Sequence, residues 1–311
     1  EDLSCANLFP FGDKWMLLCI SHSMGCRYYI GDWNSDIEQF IPEIHGRMNW
    51  ARHDQSLKTP EYRDFFAPES VLTADGRRVM WAWLATSDPA INQKTVQSLP
   101  RELSLHNDGS LKIEPLRELN SLRYDKVTFE GLSYFHKSSE NHSNNDLDQV
   151  IIGTQQITDL PEDSYEIKIT IDRDQAEGKR FGFNFFAENN NEGLFFLVRP
   201  ETQGIRLGET EAPFDLSELP DTQDLCITIF IDKYLVEVFV NGRQALLQTF
   251  IDYSKGSELR WYVFNGGMPF DPNPQNPDMV IKRIDIWKIK PTNEGLIEAR
   301  QTRIWEPNTS L

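Results

Sequence analysis

Short apolar runs, each closed by a polar or turn-forming cluster, recur along the chain. Residues 14–20 (KWMLLCI), 27–30 (RYYI), 78–83 (RVMWAW), 165–171 (YEIKITI) and 180–187 (RFGFNFFA) are of this kind. So are residues 193–198 (GLFFLV), 225–231 (LCITIFI), 235–241 (LVEVFVN) and 279–288 (MVIKRIDIWK). They are rich in β-branched and aromatic residues and bounded by Asp, Asn, Gly and Pro, the signature of strands. In residues 165–171 apolar and polar side chains alternate with period 2, which predicts one buried and one wet face. Helical spacing is confined to residues 115–122 (PLRELNSL). The pattern predicts an all-β protein.

A boundary is expected near Pro115. Before it the chain is Trp-rich, with a long loop over residues 49–64. Beyond it, strands and tight turns alternate at the spacing of about 8–12 residues expected of a sandwich. Residues 140–148 (ENHSNNDLD) read as a polar loop, 270–274 as a turn, and 293–311 as a tail.

With 31 basic and 48 acidic residues, the net charge of −17 repels a phosphate backbone or an anionic membrane. No apolar stretch approaches the roughly 20 residues that span a bilayer. Cys5, Cys19, Cys26 and Cys226 form no CxxC pair and have no metal-type spacing. Cys19 and Cys226 are expected as small core residues, and Cys26 is free to pair. P-loop, dinucleotide and nucleophile-elbow patterns are absent. Asn141-His142-Ser143 and Asn308-Thr309-Ser310 fit the glycosylation triplet, a common chance match. A start at Glu1, without Met, predicts a processed or partial chain. Its compartment is unknown, with an extracellular or periplasmic address favoured.

Five stretches carry a more specific signal: 4–15 (SCANLFPFGDKW), 64–69 (DFFAPE), 75–83 (DGRRVMWAW), 99–103 (LPREL) and 236–242 (VEVFVNG). In order and approximate spacing they resemble the signature blocks of glycoside hydrolase family 32, the β-fructosidases. The resemblance implies the last half of a five-bladed β-propeller over residues 1–115 and a β-sandwich over 116–292. It implies retaining cleavage of β-fructofuranosyl linkages in sucrose, fructo-oligosaccharides or fructans, without a cofactor. In that chemistry one carboxylate attacks the anomeric carbon and a second carboxyl, about 5–5.5 Å away, serves as acid and then base. The family's nucleophile is the Asp of an Asn-Asp-Pro-Asn-Gly block, which does not occur here, so these residues alone are expected to be inactive.

The family's acid/base is the Glu before the block's Cys, and Ser4 stands at that position. A hydroxyl proton is too weakly acidic for the role. Asp2 and Glu1 lie just upstream. In an extended strand Asp2 shares a face with Ser4, and Glu1 does not. Two readings follow: a relocated acid at Asp2 or Glu1, or a sugar-binding protein that has lost hydrolysis. Trp81 and Trp83 share a strand face and can stack on sugar C–H surfaces or simply pack in the core. Phe66 carries the same alternative. Asp64 and Glu69 can hold sugar hydroxyls or remain solvated loop charges. His22 and Arg27, at strand ends, are further candidate sugar ligands. Arg101 is expected to anchor the closing strands through a carboxylate or backbone oxygens.

Overall fold

A computed structural model describes residues 2–21, 24–50, 65–85, 95–134, 152–188, 192–264 and 278–292. Glu1, His22, Asp64, both glycosylation triplets, the loops expected over 140–148 and 270–274 and the tail over 293–311 lie outside the described residues.

The chain is all-β, as its patterning predicts, and among the described residues its strands form four sheets. The first sheet runs β1 (Ser4–Phe11), β2 (Lys14–Ser21), β3 (Gly25–Asn34), β4 (Gln39–Arg47), each antiparallel to the next. The second runs β5 (Phe66–Leu72), β6 (Arg78–Ala85), β8 (Arg101–Leu105), β9 (Leu111–Pro115), with short β7 (Thr95–Gln97) also paired to β6. β1 and β5 therefore occupy the same edge position in successive sheets. The helical spacing at 115–122 becomes a 3-10 turn, Arg117–Leu122, which leads out of β9.

The other two sheets have six strands each and are interleaved in sequence, which is what makes them two layers of one sandwich. One runs β10 (Arg123–Tyr134), β21 (Met279–Ile289), β12 (Ser164–Ile171), β17 (Leu225–Asp232), β18 (Leu235–Val240), β19 (Gln244–Thr249). The other runs β11 (Ile152–Asp159), β20 (Glu258–Phe264), β13 (Phe181–Glu188), β14 (Glu192–Arg199), β15 (Gly204–Leu207), β16 (Thr210–Pro213). Ile167, Ile169, Ile227, Ile229, Ile284 and Ile286 of one layer meet Phe181, Phe183, Phe185, Phe196 and Trp261 of the other. Each such side chain contributes about 1.5–3 kcal/mol by leaving water.

A second core joins the two smaller sheets and continues into the sandwich. Phe9, Met16, Leu18 and Ile20 meet Met80, Ala82 and Leu84; beyond Leu103, Leu111 and Ile113 come Phe230, Leu235, Phe239 and Leu247. The β17–β19 end of the first sandwich sheet is thus buried on both faces. By contrast, β12 keeps Lys168 exposed on its outer face and departs from strict alternation for a local reason. Its nominally wet face includes Glu166, only 1% exposed because Arg123 pairs with it and packs over Trp287. Cys226 departs too, half-buried rather than in the core, because Ile227 takes the inward position. All four cysteines are free, so Cys26 does not pair. Among the described residues no helix is long and apolar enough to cross a membrane.

Candidate functional site

The edge strands β1 and β5 carry the same irregularity. In β1 the pairing with β2 slips between Ser4 and Asn7, and Cys5 turns to φ +50°. In β5 the pairing with β6 slips between Phe66 and Glu69, and Ala67 turns to φ +44°. A bulge of this kind inserts a residue, bends the strand and re-aims the neighbouring side chains. A non-glycine residue at positive φ is strained, and such strain collects at functional sites. Ser4 and Phe66 thus hold matching positions, and a hydrogen bond from the Ser70 hydroxyl to Asn7 Oδ1 ties the two strands together.

On β5 and β6 the structure gathers four expected residues. Phe66 lies directly across from Trp83, their rings 5.9 Å apart and nearly edge to face. Glu69 lies across from Trp81 and is exposed. Both indoles are half-buried, while Met80, Ala82 and Leu84 fill the core from the opposite side of β6. An aromatic surface with an open carboxylate beside it suits a sugar, whose C–H face stacks on the rings while its hydroxyls donate to the carboxylate.

At the start of β1 the Ser4 hydroxyl donates to Asp2 Oδ2 at 3.1 Å. Asp2 is exposed and Ser4 half-buried, so a carboxylate stands one hydrogen bond from the Ser4 side chain. Arg27 lies on β3, across from Cys19 and Arg47, and is 8% exposed. Its Nη1 lies 3.3 Å from Met24 Sδ, its Nη2 3.4 Å from His45 Nδ1, and its guanidinium covers the Tyr29 ring. These contacts lie on β3, on the turn that enters it and on neighbouring β4. Among the described residues no group of His, Cys, Asp and Glu has the arrangement of a metal site.

Beneath the aromatic surface lies a fully buried ion pair. Arg101 on β8, 0% exposed, donates from Nη2 to Glu237 Oε2 of the sandwich at 2.9 Å and from Nη1 to the Met48 carbonyl at 2.7 Å. Its guanidinium lies over the ring of Phe65 at 4.2 Å and near that of Phe239 at 5.5 Å. The other Glu237 oxygen accepts the Leu99 N–H at 2.7 Å. Burial pushes the Glu237 carboxyl above its ordinary value, against the pull of Arg101 and Leu99. Arg101 therefore anchors through a carboxylate and a backbone oxygen, both as expected. Glu237 was the unforeseen partner. A lone Glu between Val236 and Val238 in an apolar strand was the available signal, since such a charge is almost never buried unpaired.

Residues 3–115 match the model of the glycosyl hydrolases family 32 N-terminal domain, and residues 119–288 match that of the family 32 C-terminal domain. Raffinose invertase of Escherichia coli is 32% identical over 216 residues, covering 65% of this chain and 40% of that protein. Sucrose-6-phosphate hydrolase of Vibrio alginolyticus is 29% identical over 225 residues, covering 69% of this chain and 38% of that protein. The chain thus spans about 40% of the length of these curated relatives. In fold it is similar to fructan 1-exohydrolase IIa of Cichorium intybus, with TM-score 0.64, 15% identity, and coverage of 93% of this chain and 62% of that one. Exo-inulinase of Aspergillus awamori gives TM-score 0.65 at 17% identity, covering 93% of this chain and 57% of that one.

Proposed function

The chain belongs to glycosyl hydrolase family 32, and from that premise we propose that its protein hydrolyses β-fructofuranosyl linkages in sucrose, fructo-oligosaccharides or fructans. The reaction is retaining, and its nucleophile is an Asp outside these residues. Phe66 and Trp83 stack on the sugar, Trp81 extends that surface, and Glu69 accepts from its hydroxyls. Asp2 is the acid/base. In the first step its carboxyl gives a proton to the departing oxygen, and in the second it takes one from the attacking water. The observation that carries this reading is the Ser4–Asp2 hydrogen bond, which holds a carboxylate beside the position where the family carries its Glu.

A second reading has its own support. Ser4 stands where the family's block has its Glu while the Phe66–Trp83 pair is in place, as in a protein that binds fructosides without cleaving them. Assay of the complete protein for fructose release from sucrose, inulin and levan, with calorimetric titration of the same sugars, separates the two. Release that falls by about 10²–10⁴-fold in Asp2→Asn supports the first. Binding without release in the wild type overturns it in favour of the second.

A further inference from the structure

We infer that Glu237, a residue of the sandwich, is a positioning residue for the sugar-binding surface of the neighbouring sheet, acting through Arg101. This rests on the reading of Phe66 and Trp83 as that surface. The chain of contact is short. Glu237 holds one end of the Arg101 guanidinium at 2.9 Å, and the flat of the same group covers Phe65 at 4.2 Å. Phe65 is 3% exposed and immediately precedes Phe66 and the strained Ala67. The ring that faces Trp83 is therefore one residue from a side chain covered by Arg101, which the sandwich holds through Glu237.

Arg101 grips both ends of the stretch that joins β4 to β5. It donates to the carbonyl of Met48, just past β4, and covers Phe65, just before β5. The sandwich reinforces the first of these grips. Asn49 exchanges hydrogen bonds with the Leu247 backbone at 2.9 and 3.3 Å, and the Glu211 N–H donates to the Trp50 carbonyl at 2.9 Å. The entry of β5 is held by Arg101 of its own sheet, and the sandwich holds Arg101 in turn through Glu237.

Stability and positioning separate because a buried ion pair can be exchanged for apolar side chains of similar volume at little cost, whereas removal of one partner cannot. The test is the double variant Arg101→Met with Glu237→Leu, made in this chain and in the complete protein. The expected result is an unfolding midpoint lowered only by the two hydrogen bonds, to the Met48 carbonyl and from the Leu99 N–H, that the apolar pair cannot make. Amides of residues 66–72, Pro68 apart, exchange with solvent about ten-fold faster relative to those of β12 and β17. In the complete protein, affinity for 1-kestose falls about ten-fold by titration, seen in KM more than in kcat if turnover occurs. Exchange at residues 66–72 that rises no more than in β12 and β17 overturns the inference, as does unchanged affinity, because a purely structural pair loosens all three alike and leaves the sugar surface in place. If the double variant does not fold, Glu237→Gln, which keeps the acceptor for Leu99, is read by the same exchange measurement with the same two outcomes. A wild type that neither binds nor cleaves fructosides refutes the proposed function instead, and hydrogen exchange still decides whether Glu237 sets β5.

Discussion

The seam around Arg101 and the outer end of β1 use the same kinds of polar residue to opposite effect. At the seam Arg101, Glu237 and Asn49 are buried, and each is held by named partners on another sheet. At the end of β1, Asp2 and Cys5 are exposed, and Ser4 bonds only two residues back along its own strand. The energetic stakes differ accordingly. A buried charge that loses its partner keeps its desolvation penalty, whereas an exposed one exchanges its partner for water. The seam tolerates little change for physical reasons alone. The end of β1 is constrained by whatever chemistry it performs, so its departure from the family's block is informative about function and nearly silent about fold.

Truncating one partner on each side breaks this comparison most sharply. Glu237→Ala leaves Arg101 buried beside a carbonyl and two rings, and is expected to destabilise the protein by about 3–5 kcal/mol. Asp2→Ala is expected to change stability by less than about 0.5 kcal/mol. Urea unfolding of the two variants beside the wild type measures both. Comparable losses would mean that the end of β1 is as firmly built as the seam.

Arg123→Ala ranks second. It strips the partner from Glu166, but Arg123 is itself 25% exposed, so water reaches the vacated place. The expected loss is about 2 kcal/mol, by the same unfolding measurement. A loss equal to that of Glu237→Ala would show that exposure does not soften the cost.

Both pairs also show how much was legible in the residues. The strands themselves were, because period-2 alternation and flanking turn residues are local. The faces of β12 were legible only in part. Lys168 is exposed as its polarity suggests, but Glu166 is buried by an Arg 43 positions earlier in the chain. Glu237 and Arg101 are 136 positions apart, and nothing local to either names the other. The repeat between β1 and β5 was illegible for a different reason. It is a backbone device, and Ser-Cys-Ala-Asn and Phe-Ala-Pro-Glu share no letter in register and place no glycine at the positive-φ residue. Phe66, Glu69, Trp81 and Trp83 fall together because two family-like blocks lie on paired strands.

Acid sharpens the contrast between paired and open carboxylates at smaller amplitude. Burial alone would raise the Asp285 carboxyl, but hydrogen bonds from Arg283, Thr128 and Lys126 outweigh it and bring it down to about 2. A carboxyl depressed in the folded state favours folding above its unfolded value near 3.8, and that contribution is lost as pH falls through about 2. The stability difference between wild type and Asp285→Asn should therefore be full at pH 5 and shrink steadily from pH 4 to pH 2. A difference independent of pH would place the effect of Asp285 in packing rather than charge.

The smallest expected effect on stability carries the most about function. Ser4→Glu, placed in an Asp2→Asn background of the complete protein, returns a carboxyl to the position where the family carries its acid/base. Position 4 is half-buried at a bulge whose neighbour Cys5 is exposed, so the longer side chain has solvent to extend into and stability should move by less than about 0.5 kcal/mol. If Asp2 is the relocated acid, Asp2→Asn removes fructose release and Ser4→Glu restores a measurable part of it. The bulge re-aims position 4 in the same way with either side chain, so the restored carboxyl needs no new backbone. If the protein binds fructosides without cleaving them, Asp2→Asn changes nothing, and release that first appears with Ser4→Glu would show that the rest of the machinery was kept in working order. Silence in both variants would move the loss of chemistry away from β1 altogether.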